Sequence, residues 1–300
     1  MRVAGTRPRG RLVERIWFGS RLAALPLLPL SVVFWVVSTL RRLAYRWGIL
    51  SSERLPVPAI VVGNLTVGGA GKTPLVIWLA RHLCDRGIRA GVLSRGYGGS
   101  ARTFPLAVTP ATDPGLVGDE PVLIAQRTGC PVVVDPDRAR GGRWLLGNAA
   151  CDLLVADDGL QHYRLARDLE IVVVDGERRF GNGFLLPAGP LREGRGRLRH
   201  VDLVVVNGGA PRPGEHAMRL CADEVRSLAT PAVGETIEGW REVLARNIAS
   251  YNVVVTAANL PGDDGALQQV YRELSELIDM PVGIVAGDVA FLEPQDLIDA

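Results

Sequence analysis

The 300-residue chain predicts an α/β fold, a mainly parallel P-loop sheet with helices on both faces. Three observations carry that expectation. Short β-branched runs alternate with amphipathic stretches from residue 59 onward. The segment Thr66–Thr73 reads TVGGAGKT and directly follows the first such run. A later run, Leu153–Ala156, leads straight into Asp157-Asp158. A hydrophobic share of 47% with 22% charged residues fits a globular chain, and a net charge of +2 is too small to point to nucleic acid. The four cysteines, Cys84, Cys130, Cys151 and Cys221, form no C-x-x-C pair and read as ordinary buried thiols of a reducing compartment.

The N-terminal part (1–50) reads as a membrane-anchoring segment. Leu22–Leu40 spans nineteen residues without a charge, close to the ~20 that cross a bilayer as a helix. Arginines flank it on both sides, and Trp17, Trp35 and Trp47 sit where interfacial aromatics belong. Six arginines in the first twenty-one residues oppose export of the N-terminus, and Pro26 and Pro29 interrupt helical hydrogen bonding. A segment that dips into the inner leaflet and returns is therefore favoured over a single span, which stays open.

The core (51–225) begins with the strand Ala59–Val62, followed by the glycine-rich loop and a helix over Pro74–Arg86 that Gly87 ends. Strands follow at Ala90–Leu93, Pro131–Val134, Leu153–Ala156, Ile171–Val174 and Leu203–Val206, with helices over Glu120–Thr128 and Arg138–Leu146. A smaller C-terminal α/β subdomain (226–300) is expected to contain a strand at Asn252–Thr256 and a helix over 265–277.

Every chemistry-bearing motif follows a strand or sits in a loop at the strands' carboxyl edge, where such sheets bind ligands. In the phosphate loop, Gly68, Gly69 and Gly71 free the backbone to turn its N–H groups inward. Lys72 can reach the β- and γ-phosphates and Thr73 can bind Mg²⁺. Thr66 occupies the first position, where glycine is usual. Asp157-Asp158-Gly159-Leu160-Gln161-His162 places carboxylates where P-loop enzymes hold Mg²⁺. Gly118-Asp119-Glu120-Pro121 opens a helix; its carboxylates are either capping groups or a base for an acceptor hydroxyl. The Phe180–Glu193 stretch, with Arg192 inside it and Arg195, Arg197 and Arg199 after it, reads as a loop offering apolar surface and cations to a substrate, with disorder as the alternative.

These motifs resemble one family, the tetraacyldisaccharide 4'-kinases. The likeness rests on Val62–Pro74, on Leu93–Gly98 (LSRGYG), on Gly118–Pro121, on Asp157–His162 and on the Phe180–Glu193 run. It implies ATP and Mg²⁺ as cofactors and γ-phosphate transfer to the 4'-hydroxyl of tetraacyldisaccharide 1-phosphate, giving lipid IVA. The implied partner is an acylated disaccharide phosphate lipid in the cytoplasmic leaflet of a bacterial inner membrane, with neither nucleic acid nor an obligate protein partner. By position, Asp119 corresponds to the residue that activates the hydroxyl and Lys72 to a catalytic phosphate contact. The ATP-binding set is Thr66, Val67, Gly68, Gly69, Ala70, Gly71, Lys72 and Thr73. Thr73, Glu120 and Asp157 fall on the metal side, and Asp158, His162, Arg95 and Arg192 on the substrate or metal side.

The resemblance weakens after about residue 225. The family's glycine-rich G-I-G-N-P turn and P-D-H-H-A-F stretch have no counterpart, and no histidine follows His216. Asp119 then lacks the histidine that assists its equivalent, which implies reduced activity. Two alternatives stay beside the kinase reading: a membrane-associated P-loop ATPase, and a weakly active homologue that binds nucleotide or lipid. A partitioning ATPase would carry a second lysine early in its loop, and a guanine-specific switch would carry N-K-x-D where Asn207-Gly208-Gly209-Ala210 stands.

Overall fold

The computed structural model describes residues 8–19, 21–221, 224–226, 234–236 and 252–256. Strands β1 (Ala59–Gly63), β2 (Ala90–Ser94), β3 (Leu106–Val108), β4 (Val132–Val134), β5 (Leu153–Asp157), β6 (Leu169–Asp175), β7 (Leu203–Asn207), β8 (His216–Cys221) and β11 (Asn252–Thr256) form one sheet. Its order is β11-β8-β7-β6-β1-β5-β2-β4-β3. Seven central strands run parallel, and antiparallel strands close both edges, β3 against β4 and β11 against β8. β9 (Glu224–Arg226) and β10 (Gly234–Thr236) form a separate antiparallel pair.

The β-branched runs are buried on both faces, as a covered parallel sheet requires. Successive side chains go to opposite sides, so Ile60 and Val62 join one core cluster and Val61 the other. Helices α3 (Lys72–Asp85) and α5 (Asp119–Thr128) cover the first face through Leu75, Leu79, Leu83, Val122 and Ile124. Helix α6 (Arg138–Asn148) covers the second with Leu145, beside Phe180 and Leu191. A short helix, α4 (Pro114–Val117), precedes α5.

Two strands have no clear sequence signal. β3 has three residues, and β8 (HAMRLC) lacks a β-branched run. β11 pairs with β8 from Asn252 opposite Cys221 to Thr256 opposite Ala217, so this C-terminal strand belongs to the core sheet. The expected helix over 265–277 and the stretch that departs from the family's histidine motif lie outside the described residues.

The N-terminal segment forms α1 (Pro8–Phe18), a 3-10 stretch (Arg21–Leu27) and α2 (Leu28–Arg46). The prolines set this division: Pro26 lies in the 3-10 turn and Pro29 in the first turn of α2, where its missing N–H costs least. Arg21–Arg46 is long and apolar enough to cross a membrane, and only 11% of its most apolar window is buried. Leu30, Val32, Val33, Trp35, Val37 and Leu40 are exposed.

The Phe180–Glu193 stretch is docked rather than disordered. Its apolar residues were expected to be exposed, yet Phe180, Ala188 and Leu191 are buried. It forms a strap between the N-terminal helices and the phosphate loop. On the outer side, Trp17 Nε1 donates to the Pro187 carbonyl (3.0 Å), and Asn182 Nδ2 donates to the Ile16 carbonyl (2.9 Å). Ser31, a buried polar residue of α2, donates to the Leu185 carbonyl (2.8 Å) and accepts from the Ala188 N–H (3.0 Å). On the inner side, the Val67 N–H donates to the Pro190 carbonyl (2.8 Å) and the Arg192 N–H to the Leu65 carbonyl (2.6 Å).

Ser31→Ala would leave the Ala188 N–H without a partner and the Leu185 carbonyl with the Gly189 N–H (2.9 Å) as its remaining donor, at a cost of about 1–3 kcal/mol. Cleavage by a protease within 182–192 is expected to quicken severalfold, and ATP affinity to weaken because Val67 hangs on the same strap. Unchanged cleavage there would show that the pin contributes nothing.

Candidate active site

The site is assembled at the carboxyl ends of β1 and β5. After β1 the chain passes the fully buried Asn64, whose Nδ2 donates to the Gly68 carbonyl (3.2 Å) and braces the loop from within. Thr66 bridges Leu191 of the strap in antiparallel fashion. The only non-glycine residues with positive φ among those described are Asp158 and Arg179, so the first loop position needs no glycine and tolerates threonine. The turn proper falls at Gly68 (φ 112°) and Gly71 (φ 91°). A Cβ on Gly71 would lie 2.5 Å from Asn207 Nδ2, which donates to the Ala70 carbonyl (3.3 Å) from the end of β7. Lys72 and Thr73 open α3, so its unpaired N–H groups and positive dipole end face the loop.

Parallel pairing sets Val62 of β1 opposite Asp157 of β5. Asp157 is 1% exposed, and neither of its carboxylate oxygens has a hydrogen-bond partner. Burial, reinforced by the Glu120 charge and opposed by Lys72, pushes its carboxyl up to about 7. A dry, unpartnered carboxylate beside a phosphate loop fits a divalent cation, with Glu120 as a neighbouring oxygen donor lining the same cavity. Asp158 behaves oppositely. It sits at φ 48°, a strained value for this residue. Arg192 Nη1 donates to both its oxygens (2.9 and 3.0 Å), and Lys72 Nζ lies 3.6 Å away. Burial would raise its pKa, but Lys72 and Arg192 outweigh burial and hold it below the ordinary carboxylate range.

A cavity of about 790 Å³ opens over these groups. Val67, Gly68, Gly69 and Lys72 line one side, and Arg95, Tyr97 and Glu120 another. A further wall is the apolar helix α2, through Phe34, Val37, Ser38 and Arg41, next to Leu186 and Arg192 of the strap. Asp119 begins α5 next to Glu120 and is exposed, but Glu120 and not Asp119 lines the cavity. Gly118 positions it: at φ 89° any Cβ would come 2.4 Å from the Tyr97 carbonyl oxygen, so glycine lets the two loops close on each other. Among the described residues, no hydrogen bond or ion pair holds the Asp119 carboxylate.

His162 departs from the expected arrangement. It does not line the cavity. The turn closed by its N–H on the Gly159 carbonyl (2.9 Å) carries the ring away, with Nε2 3.7 Å from Asp137. Burial and the nearby Arg138 charge push its pKa down to about 4, so the imidazole is neutral at physiological pH. Two contributors escaped the sequence reading. Gln161 Nε2 donates to the Asn64 carbonyl (3.2 Å) while its Oε1 accepts from Arg192 (3.4 Å). Arg138, 2% exposed, donates through Nη2 to the carbonyls of Asp157 (3.2 Å) and Asp158 (3.3 Å). Burial pulls its pKa down to about 10 against the pull of both aspartates. Its sequence signal was present: an arginine at a helix N-terminus opposes the dipole and calls for another reason to be there.

The chain matches the family model described as "Tetraacyldisaccharide-1-P 4'-kinase" over residues 23–258. Among solved structures it is similar to LpxK from Aquifex aeolicus in complex with ATP, with 32% identity and a TM-score of 0.63, over 73% of this chain and 71% of that one. FtsY from Elizabethkingia anophelis, in complex with GDP, is 15% identical, with a TM-score of 0.33, over 66% of this chain and 74% of that one. With a phosphate loop, paired carboxylates and a matching family model over most of its length, this chain belongs to the tetraacyldisaccharide-1-phosphate 4'-kinase family and is a phosphotransferase.

Proposed function

We propose that the protein transfers the γ-phosphate of ATP to the 4'-hydroxyl of tetraacyldisaccharide 1-phosphate, giving lipid IVA, at the cytoplasmic face of a bacterial inner membrane. One observation carries this reading: the phosphate loop and the exposed apolar helix α2 are walls of the same cavity. A water-soluble donor and a bilayer-held acceptor can therefore meet there.

In this reading the loop N–H groups of 68–73 hold the ATP phosphates, the Val67 N–H being held by the Pro190 carbonyl. Lys72 exchanges its Asp158 contact for the γ-phosphate. Asp157, Glu120 and the Thr73 hydroxyl would hold Mg²⁺, which offsets charge on the phosphoryl oxygens. Asp119 accepts the acceptor hydroxyl's proton, and Arg95 and Arg192 face the anionic substrate. Gln161 and Arg138 keep the 157–158 turn in register with the loop. His162, neutral and turned away, has no role in the transfer. The proline-containing 3-10 stretch Arg21–Leu27 ahead of α2, with Arg41, Arg42 and Arg46 in the last turns of α2, supports a segment seated in one leaflet.

Membranes carrying the protein, given ATP labelled at the γ-position and the disaccharide monophosphate, should yield labelled lipid; none with ATP binding intact would sink the assignment. Asp119→Ala should lower kcat by about 10²-fold or more at little cost in ATP affinity. Loss of folding instead would mean that Asp119 is a cap. Lys72→Ala should weaken both ATP binding and turnover, by about tenfold or more each. His162→Gln should leave turnover near the parent's but change acid stability. Because the folded-state pKa of His162 lies below its unfolded value, the unfolded chain binds the extra proton between pH 6.5 and 4. The resulting stability is full above pH 6.5 and is lost as pH falls toward 4. Urea unfolding across that window should show a shallower pH slope in His162→Gln; parallel slopes would contradict a buried neutral ring. Asp157 acts in the opposite direction in both proteins and cancels in the comparison.

A further inference from the structure

Opposite the active site, at the amino ends of the strands, three cysteines gather. Cys84 lies in the last turn of α3 before β2, Cys130 just after α5 before β4, and Cys151 just before β5. The Cys84 and Cys130 sulfurs are 3.1 Å apart, inside van der Waals contact, although 46 residues separate them. Cys84 is exposed, and Cys130 is buried with its N–H on the Thr128 hydroxyl (3.1 Å). Cys151 is buried and makes no comparable sulfur contact.

We propose that Cys84 and Cys130 form a reversible oxidation site that closes to a disulfide under peroxide or disulfide stress. The exposed sulfur reacts first. The Cys84 thiolate attacks hydrogen peroxide, the O–O bond breaks, and the departing hydroxide takes up the proton that Cys84 lost on ionising, giving a sulfenic acid and water. The Cys130 sulfur then attacks the Cys84 sulfur; hydroxide leaves and takes up the Cys130 proton as water. The two thiols lose two electrons and two protons, and the peroxide is reduced to two waters. With glutathione disulfide as oxidant, the same bond forms by two exchange steps that release two glutathione thiols. Burial, with the hydrogen bond to Cys84, pushes the Cys130 thiol up to about 12, so the exposed Cys84 is the sulfur that meets the oxidant first.

The link joins the far ends of α3 and α5, whose near ends carry Lys72 and Thr73 and then Asp119 and Glu120. Since the sulfurs already touch, closure needs little movement of either helix. It constrains the unfolded chain across the intervening loop, so the oxidised form should unfold at a higher temperature while the active site keeps its geometry.

The test uses the full chain with Cys151→Ser and Cys221→Ser, which leaves Cys84 and Cys130 as the only thiols. Treatment with hydrogen peroxide or glutathione disulfide should remove both free thiols, lower the mass by two hydrogens and give one Cys84–Cys130 linked peptide. Dithiothreitol should reverse all three changes. The melting temperature should rise on oxidation, with kcat within twofold of the reduced form. Adding Cys130→Ser should leave Cys84 trapped as a sulfenic acid or glutathione adduct. Overoxidation of Cys84 without a linked peptide, or a link with a lowered melting temperature, would overturn the proposal.

Discussion

The parallel pairing of β1 with β5 sets Val62 beside Asp157, and the rest of the site depends on that register. The phosphate loop leaves one strand where the acidic turn leaves the other. A slip of one residue would move Asp157 to the opposite face of the sheet, away from Lys72. The pairing is secured by side chains on both faces: Ile60 and Val155 lie in one core cluster, Val61 and Leu154 in the other. Packing that tolerates few voids therefore also fixes the distance from cation to carboxylate.

Charge is divided across this junction. Asp157 is buried without partners and tends to hold its proton, whereas Asp158 next to it is held ionised by Lys72 and Arg192. Environment separates two identical groups, one suited to a metal ion and the other serving as the resting partner of the phosphate-binding lysine. The strap explains why Arg192 arrives at that place. Its backbone runs between Leu65 and Val67 of the phosphate loop and Trp17 and Ser31 of the N-terminal helices. The seating of an apolar helix and the posture of the loop are thus joined by hydrogen bonds, not by proximity alone.

Much was legible in the residues because the governing interactions are local. The β-branched runs gave the central strands within a residue or two, and Pro26 and Pro29 marked where regular helix begins. Gly71 and Lys72 marked the turn into α3. β8 was not legible, because six residues without a β-branched side chain gain strand character from β7 and β11 on either side. The strap read as a loop with exposed apolar residues because its partners lie about 150 residues away in sequence. Thr66 looked irregular until its bridge to Leu191 showed an extended residue at that position.

The sequence by itself determined the family, the phosphate loop, the acidic pairs and an apolar N-terminal segment, since each depends on residues adjacent in the chain. Tertiary structure decided which groups face the cavity. It turned His162 toward Asp137, buried Arg138 behind the aspartates and brought α2 over the phosphate loop. The physical reason is that side-chain direction after a strand, and charge state after burial, are set by contacts between distant segments. The phosphate loop is thus specified locally, while the position of Asp119 depends on the close approach of Gly118 to Tyr97 and the cavity beside it on α2.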